Sequence, residues 1–448
     1  MKLSKIVKTF LIAGCTLSCI QSTMAEKTKI ANNRSIAGKA TLADIDSHEA
    51  AGNYYCYPWL HMNPPAQTPA PEGFKPFHME HAGRHGSRWL IGYKQYDRTL
   101  DLLEKGERHG KLTPLGKKVL ETVRSIHSAA QGREGELSDN GALQHQGIGK
   151  RMTQNYPDLF NSSTNINAKS TIVIRSILSM FNGLMGILTE VPDVNIKTDA
   201  SKGDMWYMDA DDEGAEQARK HADKNEKKDF NKKHDNKGEY LNKLFNDPQF
   251  AQDSIGSKLF SNLFSVLANT QSHSDQPWLL DEVFSIDEIR ERWAERNVTW
   301  FIHAGNSKMT GNRMPFSQSN LLRDIIESVD TAVISKNPSV NLRYNHDTVV
   351  FPLATLMEID NLGNEINDLE LLGEVGWHDY QVVPMAGNIQ MIFYRKNDST
   401  DINNVLFKVL LNEREVTLPF KAVEGPYYRW KDAKNYYTEK IAPYVTQR

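Results

Sequence analysis

Lys169-Ser-Thr-Ile-Val-Ile174 runs without interruption into Arg175-Ser-Ile-Leu-Ser-Met-Phe181. The first six residues are mostly β-branched, which predicts a buried strand over 169–174. From Arg175 the apolar residues take helical spacing, so a helix is predicted to begin there. A strand feeding directly into a helix is the building unit of an α/β fold. The junction also places Arg175 at the carboxyl end of a strand, where open α/β sheets hold their ligands. Taken alone, an arginine at that position reads equally as an ordinary interface residue.

Outward from this junction the chain keeps the same grammar. Arg98–Lys105 and Pro114–Ala129 show helical periodicity, with Pro114 suited to a first turn. Asp139–Thr153 reads as a further helix. Residues 26–70 are polar or proline-rich and are expected to be a leader, with Pro64–Pro71 as a loop. Residues 213–239 are dense in Lys, Asp, Glu and Asn, which predicts a solvated helix or loop. Apolar periodicity returns over 240–295. A mostly helical cap over 201–330 is therefore expected between two α/β stretches, 71–200 and 331–448. In the second stretch Asn341–Asn345 ends a strand, and His346-Asp347 precedes an apolar helix over Val349–Ile359. Gln390–Arg395 and Asn404–Leu411 are expected to form a hairpin.

The chain has 448 residues, 53 Lys and Arg against 56 Asp and Glu, and a formal net charge of −3. A balance this close to neutral argues against a nucleic-acid partner. Three cysteines exclude a disulfide scaffold and argue against a thiolate zinc module. Lys2, Lys5 and Lys8 precede an apolar run, Thr9–Ile20, and Thr23-Met24-Ala25 offers a small-residue cleavage site. A signal peptide over 1–25 is expected, hence an exported protein of the periplasm or cell envelope. Cleavage after Ala25 leaves Cys56 as the one thiol. Leu11-Ile12-Ala13-Gly14-Cys15 also fits a lipobox, and lipidation at Cys15 is the route by which this protein would meet a membrane. No later segment carries ~18 consecutive apolar residues. There is no internal repeat, and neither GxGxxG nor GxxxxGK[ST] occurs, so phosphate-cradling glycine loops are not the route to function.

The most unusual local sequence is His78-Met-Glu-His81-Ala-Gly-Arg84-His85-Gly86-Ser87-Arg88. Two guanidiniums flanking a histidine offer planar forks of donors suited to a phosphate dianion. Their positive charge disfavours imidazolium, and a neutral imidazole facing a phosphoryl group is a nucleophile. Gly86 would let the backbone approach the phosphate. An isolated Arg-His-Gly would more readily be a basic surface run. His346-Asp347, read alone, would more readily be a helix cap. Together, His85, His346, Asp347, Arg84, Arg88 and Arg175 supply a nucleophile, an anion pocket and a proton donor, with no metal or other cofactor required.

These residues resemble the acid phosphatase and phytase branch of the histidine phosphatase superfamily. Arg84-His85-Gly86-Ser87-Arg88 matches its R-H-G-x-R-x-P signature, with Leu90 at the proline position. That change is expected to affect loop rigidity and leave the chemistry intact. Leu137-Ser-Asp-Asn-Gly141 followed by Gln144 resembles L-T-x-x-G-x-x-Q. Arg175–Leu184 resembles R-x-x-x-S-x-x-x-F-x-x-G-L with altered spacing, and His346-Asp347-Thr348 resembles the H-D motif. Gly305–Gly311 and Tyr428–Lys431 look like envelope-associated bacterial members. The resemblance implies a mixed central sheet flanked by helices, a phosphoglycerate mutase-like core. It implies catalysis by His85 and Asp347, with Arg84, Arg88, Arg175 and His346 binding the substrate phosphate. The optimum is expected to be acidic, because Asp347 must carry a proton in the first step. The expected substrate is a small phosphomonoester, inositol polyphosphate foremost, with sugar or aryl phosphates as the alternative. The related inositol polyphosphate phosphatases often carry H-A-E where this chain has His346-Asp347.

Lys94, Arg98, Lys202 and Arg313 are candidates for extra cations at the pocket mouth, though each reads equally as solvated surface charge. A zinc cluster of His78, His81 and His85 is a competing reading, weakened by the lack of HExxH and by strand geometry, which splays neighbouring positions. A catalytically silent binding protein is a second. The protein is expected to act as a monomer.

Overall fold

The computed structural model describes residues 44–210, 212–234 and 238–446. The signal peptide, Cys15 and the first part of the leader lie outside the described residues.

Eight strands form one sheet: β1 (Phe74–Arg84), β2 (Asn165–Ser170), β3 (Asn195–Asp199), β4 (Ser339–Asn345), β5 (Asn388–Lys396), β6 (Leu406–Leu411), β7 (Arg414–Glu415) and β8 (Tyr428–Arg429). Their order is β3-β2-β4-β1-β5-β6-β7, with β8 also paired to β6. β3, β2, β4 and β1 are mutually parallel, whereas β5 runs antiparallel to β1 and starts an antiparallel meander. The sheet is thus mixed, as expected. A parallel half demands crossovers of a dozen or more residues, and these carry the helices that cover both faces.

The helices used below are α1 (Tyr93–Arg108), α2 (Pro114–Ala130), α3 (Asp139–Asn155), α4 (Ile174–Glu190), α5 (Glu213–Lys224), α6 (Glu226–Lys233), α7 (Phe260–Ala268), α8 (Ile286–Ala304), α9 (Ser319–Ile334), α10 (Asp347–Leu356) and α11 (Trp430–Ile441). On one face of the sheet Met79, Val340, Leu342 and Tyr344 pack with Ile148, Met152, Met180 and Leu184 of α3 and α4. The other face packs against α9, α10 and α11. A third cluster joins α1, α2 and α7 with Tyr240, Leu244 and Trp293, away from the sheet.

One detail departs from expectation. The strand predicted over 169–174 is instead Asn165–Ser170, and the helix already begins at Ile174. Pairing stops at Ser170 because its neighbour in the sheet, Tyr344, stands one residue from the end of β4. The β-branched residues beyond it form the turn, and Ile174 is left 70% exposed. The charged stretch from 213 is two consecutive helices, α5 and α6, of which Ala215, Ala222 and Phe230 are buried; Asp212 caps the first by accepting from the Ala215 N–H at 2.9 Å.

Candidate active site

β1 and β4 are adjacent and parallel, in register from His78 with Ser339 to Arg84 with Asn345. Their carboxyl ends therefore release His85 and His346 side by side, with ring centroids 5.6 Å apart. β2 ends next to β4 and turns at Thr171–Val173 into α4, carrying Arg175 to the same edge. His346 is the extended residue before α10, and Asp347 is its first residue. Three parallel strand ends thus place all six expected residues at one edge of the sheet, where open α/β sheets bind ligands.

The loop after β1 is fixed by hydrogen bonds from several elements. The Gly86 N–H donates to Ser179 Oγ at 3.1 Å, and Ser87 N–H donates to Gln144 Oε1 at 2.8 Å. Ser138 N–H donates to Ser87 O and Trp89 N–H to Glu136 O. Leu90, at the proline position of the family pattern, is buried, and its N–H donates to the Tyr96 hydroxyl at 2.9 Å. The rigidity expected to be lost with proline is supplied by this bond. Gly86 has a steric reason the sequence did not reveal: a Cβ there would stand 2.5 Å from Gly141 O at the start of α3.

His85 is buried, and its Nδ1 lies 2.9 Å from Gly86 O. A carbonyl only accepts, so Nδ1 carries the hydrogen and the Nε2 lone pair is free. Burial and then Arg84, Arg88 and Arg175 push the imidazole well below its usual range, so it is neutral near pH 7. His346 is likewise lowered, to about 4, by burial and Arg175; its Nε2 is 3.1 Å from Thr171 Oγ1.

Arg84 is fully buried. Its Nη1 donates to Asn53 O at 2.6 Å and to Val383 O at 2.8 Å, and its Nη2 lies 2.8 Å from Asp347 Oδ2. Arg88 donates from Nη1 to Trp89 O at 2.9 Å. The Nε groups of Arg84, Arg88 and Arg175 are buried with no protein partner. Two buried guanidiniums and a third half-buried one, Arg175, with spare donors around one imidazole form an anion pocket. Burial would raise the Asp347 carboxyl, but Arg84, Arg88 and the Asn53 amide outweigh it and hold the group below the usual carboxylate range.

The structure adds residues that the sequence reading passed over. Asn53 Nδ2 donates to Asp347 Oδ2 at 3.1 Å, and Arg296 of α8 donates to Asn53 Oδ1. The Arg296 guanidinium also lies over the Tyr54 ring at 4.4 Å, with Arg88 at 5.7 Å. Burial alone would raise the Tyr54 phenol, yet Arg296 and Arg88 hold it below its ordinary value. Asn53 and Arg296 are 243 positions apart and belong to no shared motif, so no local signal joined them. Of the cations proposed for the mouth, Lys94, Arg98 and Lys202 are exposed, and Arg313 is paired with Asp212 at 2.8 Å.

The three histidines of the competing zinc reading do not converge. His78 bonds Glu80 and Ser339, and His81 packs on Tyr344, away from the imidazole of His85. Among the described residues no group of three His, Cys, Asp or Glu side chains is placed to hold a metal ion, and no helix is long and apolar enough to cross a membrane.

Comparison with known proteins places this geometry in context. The model of the histidine phosphatase superfamily (branch 2) matches residues 84–412. The apo multiple inositol polyphosphate phosphatase of Bifidobacterium longum shares the fold with a TM-score of 0.66 at 18% identity, over 86% of this chain and 97% of that one. The phytase from D. castellii does so with a TM-score of 0.63 at 15% identity, over 88% and 85%. No curated protein sequence matches the chain.

Proposed function

Because the chain belongs to the histidine phosphatase superfamily (branch 2), we propose that it hydrolyses phosphomonoesters through a phosphohistidine formed on His85. The observation that carries this reading is the pairing of a neutral, Nδ1-protonated His85 with the guanidiniums of Arg84, Arg88 and Arg175, each with a buried, unpartnered Nε. The Nε2 lone pair attacks phosphorus in line with the ester bond. The P–O bond breaks, and its electron pair goes to the leaving oxygen, which takes a proton from Asp347. Asp347 then removes a proton from water as the water oxygen attacks phosphorus. The P–N bond breaks, returning its pair to Nε2. Arg84, Arg88, Arg175 and His346 hold the non-bridging oxygens, where negative charge is carried through both steps.

In the free enzyme Asp347 is held ionised by Arg84 and Arg88. A phosphate dianion on the same guanidiniums cancels that influence and brings negative charge beside the carboxylate, which favours its protonated form. Proton uptake therefore accompanies substrate binding, and the optimum is acidic. The cationic pocket and the inositol polyphosphate phosphatase and phytase folds support an inositol polyphosphate as substrate. We read 201–330 as a cap whose Arg296 reaches the pocket wall. The basic and apolar stretch of residues 1–25 supports delivery to the periplasm or cell envelope, soluble or lipidated at Cys15.

The test is to mix enzyme with phosphate-labelled substrate and quench in alkali, where phosphohistidine survives. Label should stay on the wild-type chain, be released by acid, and be absent from His85→Ala, which should not turn over. Turnover by folded His85→Ala would overturn the nucleophile assignment. A panel of inositol hexakisphosphate, sugar phosphates and aryl phosphates decides the substrate.

A further inference from the structure

Asp347 Oδ2 accepts a hydrogen bond from the Asn53 amide at 3.1 Å and lies 2.8 Å from the Arg84 guanidinium as an ion pair. The amide orientation is fixed: Arg296 has only donors to offer, so the Asn53 atom it meets must be the carbonyl oxygen, and the NH2 group must point at Asp347. A proton on Oδ2 would stand against the Asn53 donor and the Arg84 charge. Oδ1 accepts a single hydrogen bond, from the Thr348 N–H at 3.1 Å, and keeps a free lone pair. The Asn53 backbone contributes separately, since its carbonyl receives Arg84 Nη1. Asn53 is set in place by Gly52, whose φ of 59° and ψ of −126° are open to glycine and strained for other residues. A Cβ at Gly52 would also lie 2.5 Å from the buried carboxylate of Asp379.

We propose that Asn53, locked by Arg296, is a positioning residue that directs the catalytic proton of Asp347 to Oδ1 and aims that oxygen at the leaving group. This rests on Asp347 being the proton donor. Asn53 lies upstream of the residues matched by the family model, whereas Arg296 lies within them.

The proposal is tested with the full chain on an alkyl and an aryl phosphate, the latter having a leaving group that needs little protonation. Asn53→Ala should lower kcat for the alkyl substrate about 10- to 100-fold, the range of a general-acid contribution partly lost, with KM little changed and the aryl rate within about threefold. Arg296→Gln, which leaves Asn53 itself in place, should shift selectivity the same way by a smaller factor. In the double variant Asn53→Ala/Asp347→Asn, the Asn53 change should cost nothing beyond Asp347→Asn, because the group it positions is gone. Equal losses on both substrates, or additive losses in the double variant, would overturn the positioning role. Should Asp347→Asn itself lose both substrates equally, the proton-donor reading fails instead. Selectivity lost in Asp347→Asn but kept in both Asn53→Ala and Arg296→Gln overturns the Asn53 proposal alone.

Discussion

Arg84 Nη2 lies 2.8 Å from Asp347 Oδ2, joining the base of the anion clamp to the proton donor through one ion pair with Arg84 fully buried. The carboxylate occupies a guanidinium that a phosphate would otherwise engage, so acid and ligand compete for the same charge. Asp347→Asn should therefore bind inorganic phosphate more tightly, by about tenfold for 1.4 kcal/mol of relieved repulsion. Titration calorimetry at pH 7 reads this directly; weaker phosphate binding by a folded variant would mean that Asp347 aids binding.

The pH–rate profile should follow from the two neutral imidazoles. His85 is held well below its usual range, and His346 at about 4. Protonating His85 removes the nucleophile, so kcat/KM for an aryl phosphate should hold its plateau well below the ordinary histidine range before its acid limb begins. An acid limb centred near pH 6.5 would show that His85 titrates as an ordinary histidine.

Stability should run opposite to activity. His81 and His145 are lowered to about 3 and His273 and His303 to about 4, all chiefly by burial, in addition to His85 and His346. Unfolding frees each to take a proton below about pH 6.5, so the stability of the neutral form is complete above that value and erodes as pH falls toward the folded pKa values. Asp379, raised by burial to about 6, works in the opposite sense, as does His234, which Glu370 and Glu291 raise against burial. Asp360, also raised by burial, joins them, and six lowered histidines against these three leave the acid side destabilised. The thermal midpoint should fall from pH 7 to pH 4.5; a flat or rising midpoint would contradict the neutral buried histidines.

Tyr96 holds the N–H that a proline at position 90 would lack. Tyr96→Phe leaves that donor buried and unpaired at a cost of about 1–3 kcal/mol. Adding Leu90→Pro removes the orphaned donor and should recover part of the loss. Denaturant unfolding of the single and double variants checks this. A double variant less stable than Tyr96→Phe would mean that the backbone at Leu90 rejects proline.

Helices α3 and α4 meet at glycines. A Cβ on Gly149 would lie 2.1 Å from Gly183 O, and one on Gly183 would lie 2.1 Å from the Tyr344 hydroxyl. Gly149→Ala gains about 1 kcal/mol of helix propensity but forces the helices apart, and overpacking of about 1–3 kcal/mol should prevail. Because α4 carries Arg175, kcat/KM should fall along with the melting temperature. An unchanged rate with a lowered midpoint would separate the helix contact from the pocket.

The sequence by itself determined the α/β class, the approximate positions of most helices, and all six residues that meet at the edge of the sheet. It could do so because Arg84-His85-Gly86-Ser87-Arg88 carries its signal in residue type and in a family signature, while Arg175 and His346-Asp347 lie where β-branched or apolar runs change to helical spacing. Tertiary structure decided what periodicity cannot encode. The strand before Arg175 ends at Ser170 because its partner β4 ends, a fact about another segment. Gly86 is glycine because of Gly141, and Leu90 is tolerated because of Tyr96. Asn53 reaches Asp347 from 294 positions away and is held by Arg296 of α8, 243 positions from Asn53. Hydrogen bonds between elements depend on how those elements pack, and packing is a property of the whole chain.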